Sequence, residues 1–343
     1  MSAPLSTPTD GAPAIRIEGL TRVFPGGIRG LDGIDLFVPA GSLTALLGPN
    51  GSGKSTLLRI VAGADRSDTG AIQFPEIAGR PEADHRRGAV RYATQHPALD
   101  GELTGMETLR LFHALRGLPA KGRRARLLMH AELFELLPYV DRPVAGYSGG
   151  ERQRLHLAVE TIHAPRLLLL DEPTTSIDPS GRRDLWTRLG SWRDEGSTIV
   201  VATHDLSEAE THADYVVILH NGRVAASGSP AELIARHEAA GSVITVGAEP
   251  DESTLRAIGH RLESMPDVIG FTLRRKTLTL WRREHPPLRE PALDIPPAFG
   301  LAVDRFERIE PGLAGVYFRL TGGSVPGGEG RARKQERKGR GMV

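Results

Sequence analysis

The residues with the most specific chemistry form a glycine-rich loop between a predicted strand and a predicted helix. The loop consists of Gly48, Pro49, Asn50, Gly51, Ser52, Gly53, Lys54, Ser55 and Thr56. It matches the phosphate-binding P-loop pattern in full, and its glycines permit backbone angles that direct successive N–H groups toward one anion. Lys54 supplies a point charge for the β- and γ-phosphates, and the Ser55 hydroxyl can ligate Mg²⁺. The pattern therefore predicts a nucleotide site rather than a plain glycine turn.

Two adjacent carboxylates follow the apolar segment Leu167–Leu170. A parallel α/β sheet binds its ligands at the carboxyl ends of its strands, where Asp171 can hold Mg²⁺ through water. Glu172 points in a different direction and can accept a proton from an attacking water molecule. The alternative interpretation is a strand-end carboxylate that only caps the next turn.

Two further polar residues are ambiguous by themselves. Gln95 lies in a predicted loop, where its amide can contact Mg²⁺ and the attacking water. His204 follows the strand Thr198–Ala202, where its imidazole can bond the γ-phosphate. A loop glutamine is ordinary, however, and strand-end histidines are often only satisfied polar groups. We assign structural or surface roles to His96, His113, His130, His156 and His163.

A second phosphate-binding surface is predicted where a helix begins at Ser148, Gly149 and Gly150. The two glycines let the backbone approach a ligand, and the helix N-terminus carries partial positive charge. This short motif is a weak signal alone. One chain cannot easily bring this surface and the P-loop to the same nucleotide, whereas two chains that face each other can.

Composition sets broad limits on function. The 343 residues are enough for two domains, and the net charge of +1 gives no global electrostatic argument for nucleic-acid binding. The absence of cysteine excludes disulfides and thiol chemistry. No apolar run approaches the roughly 18 residues that span a bilayer, and the first residues do not resemble a signal peptide. A role at a membrane would therefore need a membrane-spanning partner.

The elements that must position these residues alternate between strands and helices. Residues 14–40 alternate apolar and polar side chains, which predicts half-buried antiparallel strands. Short apolar segments at Leu43–Leu47, Leu167–Leu170 and Thr198–Val201 predict buried strands. Helical spacing covers residues 56–61, 102–140, 151–163 and 182–195. The alternation indicates an α/β fold with a parallel sheet whose faces are covered.

The character of the sequence changes near residue 240. We expect a small α+β appendage with strands at Val243–Val246, Phe271–Trp281 and Gly315–Leu320 and a helix at Glu252–Met265, interrupted by a proline-rich loop. Residues 1–13 and 323–343 are predicted to be disordered. The last segment is rich in Gly and Arg, and we interpret it as a solvated tail rather than a lipid- or RNA-binding segment.

Taken together and in this order, the motifs resemble those of the ATP-binding subunits of ATP-binding-cassette (ABC) transporters, over about residues 14–240. The resemblance implies a P-loop NTPase cassette with a mixed sheet core, an antiparallel β subdomain and a helical subdomain. The accessory α+β domain would then occupy residues 241–322. ATP and Mg²⁺ are the implied cofactors.

The resemblance also implies individual roles. Phe24 would stack on adenine, Gln95 would be the Q-loop glutamine and His204 the switch histidine. The P-loop would be Walker A, Leu167–Asp171 Walker B, Glu172 the catalytic carboxylate, and Tyr147–Gln153 the signature motif. The D-loop would be Ser176–Asp178, which places Asp178 among the nucleotide-binding residues.

A narrower resemblance is to type-2 ABC exporters, which include drug- and antibiotic-resistance ATPases. It rests on Glu102–Leu109, on Tyr147 and on the ending Gly315–Gly322. The chain departs from that pattern at Tyr147, where Leu is commoner, and at Ser176–Ile177, where Gly-Leu is usual. The ending also lacks the acidic residues usual in this subclass.

The resemblance implies an ATPase that powers export through a separate membrane permease. Two copies would bind two ATP molecules head to tail, with the chain at the cytoplasmic face of the cell membrane and with no specific nucleic-acid partner. Three alternatives stay open. They are a non-transport ABC ATPase of the translation or DNA-repair type, a regulatory nucleotide-binding module, and an importer ATPase.

Overall fold

The computed structural model describes residues 13–75, 90–95, 98–162, 165–175, 177–237, 240–283, 291–309 and 311–321. These residues form two compact units. The first contains residues up to His204 together with Thr211–Ser227, and the second contains Asp205–Glu210 and the residues from Gly228 onward. Of the predicted disordered ends, residues 1–12 and 323–343 lie outside the described residues, and Pro13 already begins a strand.

A six-stranded sheet forms the centre of the first unit, with strand order β5-β6-β7-β3-β8-β9. The strands are β3 (Leu43–Leu47), β5 (Val90–Ala93), β6 (Leu167–Asp171), β7 (Thr198–Thr203), β8 (Tyr215–His220) and β9 (Arg223–Gly228). The pairings from β5 through β8 are parallel. Strands β3, β6 and β7 are buried along their whole length, which confirms the parallel sheet expected from their continuous apolar sequences.

A three-stranded antiparallel sheet packs beside it, with order β2-β1-β4. Its strands are β1 (Pro13–Phe24), β2 (Ile28–Pro39) and β4 (Thr69–Gln73). Ile15, Ile17 and Leu36 belong to the same buried cluster as Leu57 and Leu58 of helix α1 (Lys54–Val61). The alternation of residues 14–40 therefore predicted this sheet correctly, whereas β4 was not predicted.

Side-chain caps fix where several helices begin. The helices are α2 (Gly105–Leu115), α3 (Arg123–Leu133), α4 (Gly149–Glu160), α5 (Pro179–Asp194) and α6 (Leu206–His212). Thr104 with Glu107, and Ser148 with Glu151, form capping boxes, and Asp178 caps α5. Helices α1 and α3 instead begin at glycine N-caps that no side chain caps, and the N-cap of α1 is Gly53. The first N–H groups of α1 can therefore serve a ligand.

The second unit is an α+β fold built on an antiparallel sheet of order β11-β12-β10-β13. Its elements are α7 (Pro230–Arg236), β10 (Ala240–Val246), α8 (Glu252–Glu263), β11 (Val268–Arg274), β12 (Thr277–Arg282), α9 (Ile295–Ala298), β13 (Val303–Ile309) and α10 (Leu313–Thr321). From β10 to β13 the chain follows the β-α-β-β-α-β order of the ferredoxin-like arrangement. The predicted helix at Glu252–Met265 is confirmed, and Phe271–Trp281 is a hairpin of two strands.

The predicted strand at Gly315–Leu320 is wrong, because these residues belong to helix α10. Short apolar runs rich in aromatic and branched residues do not distinguish a strand from a buried helix. Val316, Tyr317 and Phe318 are all buried in succession, and the α10 N-terminus is held by the Glu210 carboxylate, which accepts from the Leu313 N–H at 2.8 Å. Strand β13 was not predicted, since charged residues dominate it.

Among the described residues, no helix combines the length and apolarity that a membrane crossing requires.

Candidate nucleotide site

The P-loop connects strand β3 to helix α1 and depends on glycine at two positions. A Cβ atom on Gly48 would lie 2.4 Å from the Ser52 Oγ and 2.5 Å from the Leu219 carbonyl oxygen. Gly53 has a φ of 108°, and a Cβ there would lie 2.6 Å from the Gly30 carbonyl oxygen. Any larger residue would displace backbone at both positions, so these glycines set the shape of the loop.

Lys54 is buried at the start of α1 and is held by the loop itself. Its Nζ donates to the carbonyl oxygens of Gly48 at 2.7 Å and Pro49 at 3.3 Å, and it lies 3.6 Å from the Glu172 Oε1. Burial lowers the pKa of Lys54, and the charges of Glu172 and Asp171 oppose that shift. The ammonium therefore sits among acceptors that a phosphate group could replace.

Asp171 ends strand β6 and has both carboxylate oxygens engaged. The Ser55 hydroxyl donates to Oδ1 at 3.0 Å, and the Tyr92 hydroxyl donates to Oδ2 at 3.1 Å. Asp171 is only 3% exposed. Burial, followed by the nearby Asp171 charge, raises the pKa of Tyr92 well above its ordinary value. Sequence reasoning missed Tyr92, because the sequence around a tyrosine in a strand does not show which residue of the neighbouring strand its hydroxyl will contact.

Glu172 is buried and adopts the left-handed backbone region, with a φ of 52°. Its N–H donates to the Ala202 carbonyl oxygen at 2.9 Å. Its Oε2 lies 2.5 Å from the His204 Nδ1 and accepts from the Thr175 hydroxyl at 3.3 Å. An uncommon backbone conformation at a buried carboxylate is typical of functional sites. Sequence reasoning did not identify Thr175 as a partner of this carboxylate.

The structure thus brings five predicted site residues into one connected cluster at the carboxyl ends of strands β3, β6 and β7. They are Lys54, Ser55, Asp171, Glu172 and His204. The set contains a hydroxyl and a carboxylate that suit Mg²⁺, a cation that suits phosphate, and a carboxylate with an imidazole beside it that can handle a proton.

Gln95 and Phe24 lie near this cluster without joining it. Ala93 pairs with Leu170, so the exposed Gln95 follows the carboxyl end of β5, next to the end of β6 where Asp171 lies. No described contact joins the Gln95 side chain to Asp171. The Phe24 ring lies against Gly30, where a Cβ would be 2.5 Å away, and Gly30 in turn contacts Gly53. One residue therefore separates the Phe24 ring from the P-loop.

The Ser148 motif is exposed and forms the capped start of α4. The Ser148 Oγ accepts from the Glu151 N–H at 3.2 Å, and the Glu151 Oε2 accepts from the Ser148 N–H at 2.8 Å. No described contact joins Ser148, Gly149 or Gly150 to the P-loop of the same chain. The two phosphate-binding surfaces are therefore not in contact within one molecule.

Comparison with known proteins decides the family. Residues 31–175 match the ABC transporter family. The Nod factor export ATP-binding protein I of Ralstonia nicotianae is 34% identical over 310 residues, which cover 90% of this chain and 94% of that protein. The chain belongs to the ABC transporter ATP-binding proteins.

Other members of the family match over different lengths. The daunorubicin/doxorubicin resistance ATP-binding protein DrrA of Streptomyces peucetius is 34% identical over 90% of this chain and 92% of its own length. The sulfate/thiosulfate import ATP-binding protein CysA of Synechococcus elongatus is 39% identical over 66% of this chain and 65% of its own length. The dimeric structure of a bacterial ABC transporter cassette matches with a TM-score of 0.58 at 26% identity, covering 63% of this chain and 98% of that one.

Asp178, which is predicted to belong to the D-loop, caps helix α5 and contacts helix α4. Its carboxylate accepts hydrogen bonds from the Ser180 hydroxyl and the Gly181 N–H, which lower its pKa. The Arg154 guanidinium from α4 lies 3.7 Å from Asp178 and 3.5 Å from Glu135. Arg154 thus joins helix α4 to the N-cap of helix α5, a contact that sequence reasoning missed. Ser176 lies outside the described residues.

Tyr147, where leucine is commoner in ABC ATPases, is a buried packing residue. Its hydroxyl donates to the Tyr139 carbonyl oxygen at 2.9 Å, and its ring makes an edge contact with the Tyr139 ring at 5.0 Å. A Cβ on Gly105, at the start of α2, would lie 2.2 Å from the Tyr147 hydroxyl oxygen. Tyrosine and glycine are therefore matched at these two positions.

We expect Gly105→Ala to destabilise the protein and Tyr147→Leu to relieve that cost. The added methyl group cannot coexist with the Tyr147 hydroxyl, and overpacking typically costs about 1–3 kcal/mol. Thermal melting of the two single variants and the double variant measures the coupling. If the double variant loses as much stability as the two single losses combined, the two residues are not a matched pair.

Proposed function

We propose that this chain is the ATP-hydrolysing subunit of an ABC exporter and works as a pair of copies beneath a membrane permease. The observation that carries the proposal is the connected cluster of Lys54, Asp171, Glu172 and His204 at an intact P-loop. This arrangement brings together a cation that suits phosphate, ligands that suit Mg²⁺ and a carboxylate that can accept a proton. It favours an active ATPase over a regulatory nucleotide-binding module.

ATP is proposed to bind along the P-loop, with its adenine on Phe24. The loop can offer backbone N–H groups from residues other than Pro49, and the Ser52 and Thr56 side chains lie in the loop and at the start of α1. Lys54 exchanges its carbonyl partners for phosphate oxygens. Ser55 and Asp171 are the residues that would hold Mg²⁺, and they fit, because Mg²⁺ prefers few carboxylate ligands supplemented by phosphate and water. Bound Mg²⁺ would neutralise charge on the β- and γ-phosphates.

Glu172 is proposed to accept the proton of the attacking water. Its Oε2 already contacts the His204 Nδ1, so the imidazole can orient the carboxylate and reach the γ-phosphate. Gln95, at the same sheet edge, would contact Mg²⁺ and the attacking water. Removal of the γ-phosphate would then weaken the contacts that depend on it.

A second copy is proposed to complete each site with Ser148, Gly149 and Gly150. The exposed N-terminus of α4 carries partial positive charge and makes no described contact with its own P-loop. Asp178 would lie at the same interface. Two copies arranged head to tail would then enclose two ATP molecules, so that ATP stabilises the dimer and hydrolysis weakens it.

Export is favoured over import by the extent of the similarity. The Nod factor export protein of Ralstonia nicotianae and the daunorubicin/doxorubicin resistance protein of Streptomyces peucetius each align with 90% of this chain, and the sulfate import relative aligns with 66%.

We place the nucleotide-binding domain at residues 14–240 and the accessory domain at 241–322. The helical region at residues 100–145 and the Q-loop would transmit the nucleotide state to the permease at the inner face of the cell membrane.

Site-directed cross-linking tests the head-to-tail dimer. The chain has no cysteine, so any thiol cross-link must involve the engineered cysteines. Asn50 and Gly146 are exposed, and a Cβ on Gly146 meets nothing within 4 Å. In a Glu172→Gln background with Mg²⁺ and ATP, we expect a short bismaleimide to cross-link the Asn50→Cys/Gly146→Cys variant into a dimer.

The two single-cysteine variants are the matched controls. In a head-to-tail dimer, position 50 of one copy faces position 146 of the other copy. A variant with a cysteine at only one of these positions should therefore not cross-link efficiently. A dimer that forms equally without ATP, or equally well from either single variant, would contradict the proposed arrangement.

A further inference from the structure

Tyr92 lies outside the established motifs of the site and yet contacts its central carboxylate. Its hydroxyl donates to the Asp171 Oδ2 at 3.1 Å, on the side opposite to the Ser55 hydroxyl at Oδ1. Asp171 is 3% exposed, so little water reaches its oxygens. The Tyr92 hydrogen bond therefore satisfies an oxygen that would otherwise be buried at a cost.

Strand pairing explains how Tyr92 reaches this position. Strand β5 runs parallel to β6, with Tyr92 opposite Leu169, and the long tyrosine side chain extends forward along the sheet to Asp171. A shorter residue at position 92 could not span this distance. Gln95 follows three residues later in the chain, beyond the end of β5.

The orientation of Asp171 matters because only one of its oxygens meets Ser55. The positive charge of Lys54 also acts on Asp171, as it does on Glu172. Without a partner on Oδ2, the carboxylate is free to turn toward that charge and away from Ser55. The Tyr92 hydrogen bond to Oδ2 opposes this rotation. Residues that form hydrogen bonds with metal ligands fix the orientation of those ligands in the same way.

We propose that Tyr92 is a positioning residue that holds Asp171 with Oδ1 directed to Ser55 and so sets the affinity of the site for Mg²⁺. The proposal rests on the proposed nucleotide site. Tyr92 is not itself proposed as a ligand of the nucleotide or of the metal. It acts through Asp171, and its effect should appear in the Mg²⁺-dependent part of nucleotide binding.

The test compares Tyr92→Phe with the unchanged protein in binding of a fluorescent ATP analogue, in EDTA and across a Mg²⁺ titration. We expect the affinity in EDTA to stay within about 2-fold, and the Mg²⁺ concentration at half-maximal effect to rise by about 10- to 100-fold. In an Asp171→Ala background, Tyr92→Phe should add less than about 2-fold, because the acceptor is gone.

Tyr215→Phe is the matched control, since Tyr215 is a buried tyrosine of the same unit whose ring packs on Phe37. Its Mg²⁺ response should equal that of the unchanged protein. An unaltered Mg²⁺ response in Tyr92→Phe, or an equal loss of affinity with and without Mg²⁺, would overturn the proposal. If the unchanged protein binds no nucleotide, the proposed function fails instead. Melting temperatures without nucleotide show whether Tyr92→Phe folds.

Discussion

Replacing Glu172 by glutamine should lower the ATPase rate by about 10²- to 10⁴-fold while nucleotide binding is retained. Glutamine keeps the size of the side chain and can accept hydrogen bonds, yet it cannot take a proton from water. Glu172 is buried, and its Oε2 lies 2.5 Å from the His204 Nδ1. Bulk water therefore cannot act as the proton acceptor in its place. Phosphate release measures the rate.

The same substitution should trap a dimer. If hydrolysis separates the two copies, Glu172→Gln with Mg²⁺ and ATP elutes as a dimer in size-exclusion chromatography, and as a monomer without nucleotide. Glu195→Gln is the matched control, because Glu195 is exposed at the end of α5 and should change neither rate nor elution. Hydrolysis that persists in Glu172→Gln would exclude Glu172 as the base.

The sequence was sufficient for the elements that depend on local patterns. Continuous apolar runs located β3, β6 and β7, and the Ser-Gly-Gly motif located the start of α4. Each of these signals lies within a few residues along the chain. The loop from Gly48 to Thr56 was predictable for the same reason, since its function requires particular residues at fixed spacing.

Contacts between distant residues were not predictable in this way. Tyr92 and Asp171 are 79 positions apart, and their hydrogen bond depends on the parallel register of β5 and β6. Tyr147 and Gly105 likewise form a pair only after α2 packs beside the signature motif. In the second unit, Gly315–Leu320 was assigned to a strand because its apolar run fits both periods, and only packing selects the helix.

The second large effect is expected for Lys54→Met, which should weaken ATP binding by about 10- to 100-fold. Hydrogen bonds to charged groups are worth about 1.5–3 kcal/mol, and methionine keeps the length of the side chain without its charge. Equilibrium binding of a fluorescent ATP analogue measures the loss. Lys121→Met is the matched control, because Lys121 is an exposed lysine outside the site. The ATP affinity of this variant should equal that of the unchanged protein.

Lys54→Met should also destabilise the nucleotide-free protein, and Glu172→Gln should reverse that loss. The Lys54 and Glu172 side chains are 6% and 8% exposed, so removing one partner leaves a buried charge uncompensated. Such losses are about 3 kcal/mol at the lower end, or about 6–12 °C in melting temperature. The double variant contains neither charge and should melt within about 3 °C of the unchanged protein. If the double variant melts no higher than Lys54→Met, the ion pair between Lys54 and Glu172 does not stabilise the nucleotide-free protein. The buried position of Lys54 then depends on its hydrogen bonds to the Gly48 and Pro49 carbonyl groups.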